Sequence, residues 1–193
     1  MTIAFEVGRP VPYRDGMQRI LVYGVTGSGK STLACRVGER LGLPYHLLDD
    51  LTWEPGWVPV PDEQQRDRVR AVCAGEEWVI DAAYGKWMTI PLARVDLIVG
   101  LDLPRWLSFG RLLRRTVGQI VRRTPTCNGN QETWRGAFVS SDSILRWHFR
   151  SFKRKQHRMR RWHADPDFPE TVLLRSPAEV ERWFASLPAV RRR

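Results

Sequence analysis

Gly24-Val25-Thr26-Gly27-Ser28-Gly29-Lys30-Ser31 satisfies every fixed position of the pattern G-x-x-x-x-G-K-[ST]. Ile20-Leu21-Val22-Tyr23, just before it, is a short apolar run of β-branched and aromatic residues and reads as a buried strand. After it, residues 31–41 place Leu33, Ala34, Val37 and Leu41 at helical spacing, with Gly42 where a C-terminal cap belongs and Pro44 beyond. Strand, glycine turn and helix start in that order gather backbone N–H groups at the positive end of a helix, which suits a phosphate. Gly24, Gly27 and Gly29 let the chain turn tightly and approach an anion without a Cβ in the way. In this pattern Lys30 reaches the β- and γ-phosphates and the Ser31 hydroxyl ligates Mg²⁺. Residues 24–32, with Thr26, Ser28 and Thr32 contributing, are the expected seat of ATP–Mg²⁺.

The 193 residues suit one domain with a sizeable core. No apolar stretch reaches 18 residues, so no membrane span is expected. Residues 1–18 lack the apolar centre of a secretion signal and read as an extension. Residues 19–187 read as the folded domain, and 188–193 as a basic tail. Cys35, Cys73 and Cys127 are scattered, with no C-x-x-C pair, so neither a disulfide framework nor a zinc site is expected; a reducing cytoplasm is the expected compartment.

The net charge of +10 is unevenly distributed: residues 1–103 carry −3 and residues 104–193 carry +13. A basic half beside a phosphate loop has two functional readings, a clamp on nucleotide phosphates or a surface for nucleic acid. A solvated basic face is the third.

Further along, 44–48 reads as a second strand ending in Asp49-Asp50. Ligands of open α/β sheets bind at that strand edge, so either carboxylate is a candidate to orient an acceptor hydroxyl, and Asp50 is preferred. Residues 52–61 hold Trp53, Trp57, three prolines and a glycine, a stiff non-helical loop whose indoles either pack beneath it or wall a pocket. A helix over 62–74 buries Val69, Val72 and Cys73. Residues 77–81 form a third strand ending in Asp81, the expected carboxylate companion of the Mg²⁺ site. Tyr84 follows, near the acceptor. Residues 87–94 read as a helix interrupted by Pro91.

A fourth strand and its exit, 95–104, lead into a helix over 105–123 on which Arg111 and Arg115, four apart, share one face and are placed to stabilise charge on a transferring phosphoryl group. Residues 124–134 read as a turn or mobile loop. From 143 to 162 the chain is helical again, with Ile144, Leu145, Trp147 and His148 as its apolar patch and a second half charged all round, which predicts exposure. Residues 170–174 are a fifth strand. Ser176-Pro177-Ala178-Glu179 opens a last helix, with Ser as cap and Pro in the first turn. The alternation predicts a three-layer α/β/α sandwich with a five-stranded parallel sheet and a helical lid over about 122–161.

The phosphate loop, Leu48-Asp49-Asp50, Trp53-x-Pro55-Gly56-Trp57, Trp78-Val79-Ile80-Asp81, Leu101-Asp102-Leu103-Pro104 and the Arg111/Arg115 helix together resemble adenylate-kinase-like proteins, and among them the bacterial DNA topology modulation proteins. The resemblance covers 19–187. It implies Lys30 and Ser31 on the phosphates and Mg²⁺, Asp81 near the metal's waters, Arg111 stacked on adenine, Arg115 on the phosphates, and Ser176 and Pro177 along the adenine edge. Where related kinases that accept nucleoside monophosphates carry an arginine, four residues after Asp81, this chain has Gly85 and then Lys86. The resulting expectation is ATP-dependent phosphoryl transfer to a small acceptor bounded by Asp50, Trp53, Trp57 and Tyr84. The alternative is an ATP-binding protein associated with nucleic acid. The acceptor and the oligomeric state are left open.

Overall fold

A computed structural model describes residues 16–82, 85–139 and 143–189. In chain order the elements are β1 (Arg19–Gly24), α1 (Lys30–Leu41), β2 (Tyr45–Leu47), α2 (Leu48–Thr52), β3 (Trp53–Glu54), β4 (Val58–Pro59), α3 (Asp62–Ala74) and β5 (Trp78–Ala82). They continue with α4 (Thr89–Leu92), β6 (Leu97–Leu101), α5 (Arg105–Arg122), α6 (Ile144–Ala164), β7 (Glu170–Leu174) and α7 (Pro177–Ser186).

Ile20, Leu21, Val22 and Tyr23 of β1 are all fully buried. Successive strand residues face opposite sides, so burial of all four requires helices on both faces, as in a parallel sheet. The expected sheet is present: five parallel strands in the order β2-β5-β1-β6-β7. Leu33, Ala34 and Val37 of α1 and Trp183 of α7 pack on one face, against Val22, Val99 and Val172. Val69 and Cys73 of α3, Met88, and Met159 and Trp162 of α6 pack on the other, against Leu21, Ile80 and Ile98. Each such side chain contributes roughly 1.5–3 kcal/mol by leaving water. No helix among the described residues is long and apolar enough to cross a membrane.

Several local expectations change. The second strand ends at Leu47, because the Leu48 amide leaves the ladder to donate to Asp81 Oδ1 at 2.8 Å. Asp49 and Asp50 therefore lie in the first turn of α2. The Trp-rich loop contains a two-stranded antiparallel ribbon, β3 with β4. The turn at 127–130 is tied down: Asn128 Nδ2 donates to the carbonyls of Asp50 (2.9 Å) and Trp53 (2.6 Å), and Asn130 Nδ2 donates to that of Glu54 (3.1 Å). Met17 is buried, and the Gln18 amide donates to Asp96, so the folded body begins before residue 19.

The largest correction concerns α6. His148, Ser151, Phe152, Lys155, Met159 and Trp162 are buried in spite of the surrounding charge; 148, 152, 155, 159 and 162 follow at alternating steps of four and three, with Ser151 on the same face. The exposed basic side chains occupy the opposite face. From Ser151 onward α6 is part of the layer against the sheet, so the last quarter of the expected 122–161 lid packs with the body of the protein. Tyr84 and residues 190–193 lie outside the described residues, as do 1–15 of the expected extension.

Candidate functional site

Gly24 closes β1, and the chain then turns through Gly27 (φ 81°) and Gly29 (φ 97°) before α1 begins at Lys30. The turn is compact: Ser28 N donates to Val25 O at 3.1 Å. A Cβ on Gly27 would stand 2.3 Å from the Ser108 carbonyl oxygen and 2.8 Å from Leu112 Cβ, so the loop lies directly against α5. No side chain caps the N-terminus of α1. Its first-turn N–H groups are thus left to an external acceptor.

Ser31 donates its hydroxyl to Asp81 Oδ2 at 2.5 Å, while Asp81 Oδ1 takes the Leu48 amide. Burial pushes the Asp81 carboxyl above the ordinary carboxylate range. The charge of Lys30 and the bonds from Ser31 and Leu48 pull the other way. The Ser28 hydroxyl is buried and has no hydrogen-bond partner among the described residues. Arg111 of α5 lies over the loop, with Nη1 3.3 Å from the Ser28 carbonyl and 3.7 Å from where a Gly29 Cβ would stand. The glycine cradle, the uncapped helix end, Lys30 and the Ser31–Asp81 pair form a donor set that fits a nucleotide triphosphate with its Mg²⁺.

Of the sequence candidates, the fold brings together Gly24, Thr26, Gly27, Ser28, Gly29, Lys30, Ser31, Thr32, Asp81 and Arg111. Arg115, one turn further along α5, is exposed and close enough to Glu132 for its charge to oppose the rise that burial gives that carboxyl. Ser176 caps α7, accepting from Glu179 N at 3.2 Å, with Pro177 in the first turn. The strand before it, β7, ends level with the phosphate loop: Leu174 pairs with Leu101, which pairs with Gly24, a separation of about 10 Å at ordinary strand spacing.

Trp53 and Trp57 meet edge to face, with ring centroids 5.8 Å apart. Trp57 is held from the turn beyond α5: its amide donates to Asn130 Oδ1 at 2.7 Å and its indole N–H to the Gln131 carbonyl at 3.0 Å. The Asp50 carboxylate faces Cys127, whose thiol is pushed up to about 12 by burial together with Asp49 and Asp50. Asp49 is the carboxylate whose charge is felt at Asp81 and at Lys155.

Three residues of α6 and one at the end of β6 have structural or electrostatic roles at this site that were not assigned from sequence. His148 Nδ1 lies 3.0 Å from the Thr26 carbonyl oxygen, inside the phosphate loop. Lys155 is buried beside the loop, within reach of the charge of Lys30. Arg158 lies against Gly85. Asp102, buried at the exit of β6, holds α6 in place by accepting from Gln156 Nε2 (2.8 Å) and Arg160 Nε (2.8 Å). For His148 and Lys155 the sequence signal is the 3–4 spacing of 148, 152, 155, 159 and 162, concealed because they are themselves a histidine and a lysine; Arg158 and Asp102 carry no such signal.

No protein-family model matches the sequence, and no curated protein matches it. Solved structures do. A gluconokinase from Sinorhizobium meliloti 1021 superposes with a TM-score of 0.51 at 19% identity, over 90% of this chain and 93% of that one. A sugar kinase from Janibacter sp. HTCC2649 superposes with a TM-score of 0.50 at 19% identity, over 92% and 99%. At such identities the likeness is one of fold alone, an α/β fold shared with these two kinases.

Proposed function

We propose that the protein is a kinase that transfers the γ-phosphoryl group of ATP to a hydroxyl of a small acceptor. The observation that carries this reading is the Ser31–Asp81 pair beneath an uncapped, glycine-turned helix start, with Lys30 in its first turn and Arg111 over the loop. The fold shared with two small-molecule kinases supports it.

In this reading residues 24–32 take the phosphates, while Ser31 and Asp81 hold the Mg²⁺. The metal, when bound, neutralises phosphate charge. Lys30, Arg111 and Arg115 offset the negative charge that builds on the transferred group. Ser176 and Pro177 flank the base. The bond between γ-phosphorus and the ADP oxygen breaks as the acceptor oxygen bonds to phosphorus, and the hydroxyl proton passes to a carboxylate of the Asp49/Asp50 pair. Asp50 is the preferred carrier of that role, and Asp49, whose charge is felt at Asp81 and Lys155, is the alternative. Trp53, Trp57, Tyr84 and Asp50 are assigned to the rim of the acceptor site. The kinship with the DNA topology modulation proteins, which rests on the sequence motifs, belongs to the same proposal. So does a cytoplasmic setting, supported by three free cysteines.

The test is calorimetric titration of Mg–ATP into wild type and Lys30→Ala, followed by an ADP-release screen over small alcohols, sugars and nucleosides. Tight binding should fall at least 100-fold in the variant. Equal affinity refutes the site.

One observation favours the second reading, a nucleic-acid partner. Arg146, Arg150, Lys153, Arg154 and Arg161 form no ion pair with a described carboxylate, and Trp147 and Phe149 stand exposed among them. Cations interleaved with aromatic rings hold phosphates and stack bases. Filter binding at stepped salt decides: affinity that falls steeply with salt supports it, and no binding at moderate salt removes it.

A further inference from the structure

A cavity of about 390 Å³ opens between the end of β1, the chain beyond β5, and α6. That volume suits a small ligand, near the lower end of the usual range of binding clefts. Its walls are Tyr23, Trp147 and four cations, Lys86, Arg154, Lys155 and Arg158. No carboxylate is among the described residues that line it.

Lys86 is satisfied by an ion pair with Asp62. Arg154, Lys155 and Arg158 pair with no described carboxylate. Lys155 is only 3% exposed, and burial, followed by the like charge of Lys30, pushes its amine down to about 7; among described groups, Asp49 opposes this. Arg154 and Lys155 lie 5.8 and 5.7 Å from the Trp147 ring centre, so charge and a flat apolar surface adjoin. The Tyr23 hydroxyl is fully buried at the cavity wall, with the Arg158 guanidinium beside it. Like charges gathered this closely repel, and a bound anion relieves the repulsion.

Gly85 explains how Arg158 reaches this place. A Cβ at residue 85 would stand 3.1 and 3.4 Å from the two terminal nitrogens of Arg158. The missing side chain leaves room for a guanidinium delivered from α6.

We propose that this cavity receives the charged end of the acceptor, the reacting end lying toward the rim assigned to Asp50, Trp53 and Trp57, and that the acceptor is a small hydroxylated anion, its carboxylate or phosphate held by Arg158, Arg154 and Lys155 and its carbon frame against Trp147. The proposal rests on the phosphoryl-transfer reading for the word acceptor, but the charge preference stands on the cavity alone. The free hydroxyl faces the phosphate loop, on the side where Lys155 approaches Lys30.

The experiment compares matched probes on the full chain: gluconate with sorbitol, glycerol 3-phosphate with glycerol, and a 5′-hydroxyl oligonucleotide. Equilibrium binding is measured by titration with and without a non-hydrolysable Mg–ATP analogue, and ADP release is measured with Mg–ATP. At least one anion should bind 100-fold or more tightly than its uncharged partner. Arg158→Gln should cut that preference to below tenfold while its affinity for the ATP analogue stays that of wild type. Equal binding of charged and uncharged partners, or a preference that survives in Arg158→Gln, overturns the proposal. Binding by the oligonucleotide alone also overturns it and moves the anion site to the outer face of α6. Anion-selective binding without ATP binding or ADP release keeps the cavity assignment and ends the kinase reading instead.

Discussion

His148 of α6 and Thr26 of the phosphate loop are joined across 122 residues of sequence by a hydrogen bond of 3.0 Å from ring nitrogen to carbonyl oxygen. A carbonyl only accepts, so Nδ1 carries the proton. His148 is fully buried, and Nε2 has no partner among the described residues. Burial holds the imidazole below its ordinary value of 6.5, against the Thr26 carbonyl, while the charges of Arg105 and Lys155 push the same way as burial.

A group buried neutral, with a folded pKa below its unfolded one, contributes stability that is complete above 6.5 and declines as the pH falls through the interval between the two values. Wild type should therefore lose stability below about pH 6.5 more steeply than His148→Phe, as read from urea midpoints at each pH. At neutral pH the variant should be weaker by about 1–3 kcal/mol, because the Thr26 carbonyl loses its donor. Parallel pH profiles for the two proteins would contradict this role.

Gly27 and Gly29 both have positive φ, but only Gly27 faces backbone at close range. Gly29→Ala should cost about 1–2 kcal/mol through conformation alone. Gly27→Ala adds overlap with the Ser108 carbonyl and Leu112, roughly 1–3 kcal/mol more. Thermal denaturation should rank wild type above Gly29→Ala and Gly29→Ala above Gly27→Ala. Equal midpoints for the two variants would mean that the loop does not rest on α5.

Asp81→Asn keeps a carbonyl oxygen for one of the two incoming bonds but removes the charge. A buried carboxyl raised by desolvation destabilises the folded state at neutral pH, so the substitution should leave stability within about 1 kcal/mol of wild type, relief of desolvation offsetting the weaker bond to Ser31. Mg²⁺ dependence should respond strongly: the Mg²⁺ concentration needed for half-maximal ATP turnover should rise 10–100-fold. An unchanged Mg²⁺ requirement would remove Asp81 from the metal site.

Lys155 predicts a pH effect on the acceptor. Its amine, pushed to about 7, faces Lys30 from the phosphate loop, Asp49 from α2, and Arg154 and Arg158 on its own helix, with Lys86 across the cavity. An anion binds better to the protonated form, so affinity should be constant below about pH 7 and fall toward tenfold per unit above it. Lys155→Met should abolish this slope. The same slope in wild type and variant would assign the titration elsewhere.

The sheet and its helices were readable because parallel strands buried on both faces are continuous apolar runs: Ile20 to Tyr23 and Leu97 to Leu101 announce themselves. The cap at Ser176 was equally plain, since Ser, Pro and Glu occupy positions fixed by local geometry. The burial of α6 was hidden. Eight of its 21 residues are Lys or Arg, and the buried stripe includes Lys155 and His148, so composition masked periodicity. The tie between Trp57 and Asn130 was hidden for a different reason: it joins residues 73 apart, and no local pattern reports a contact made by folding.

His148 and Arg158 stand ten residues apart on one unbroken helix, a rise of about 15 Å. One grips the phosphate loop and the other borders the cavity, so the helix acts as a measuring rod between the two. Inserting a single residue between them would swing everything downstream by about 100°, taking Lys155 or Arg158 out of the cavity and Trp162 out of the core together. Such a chain can acquire a new acceptor by exchanging side chains along the rod, but not by altering its length. Anything that tips the rod at one end is felt at the other.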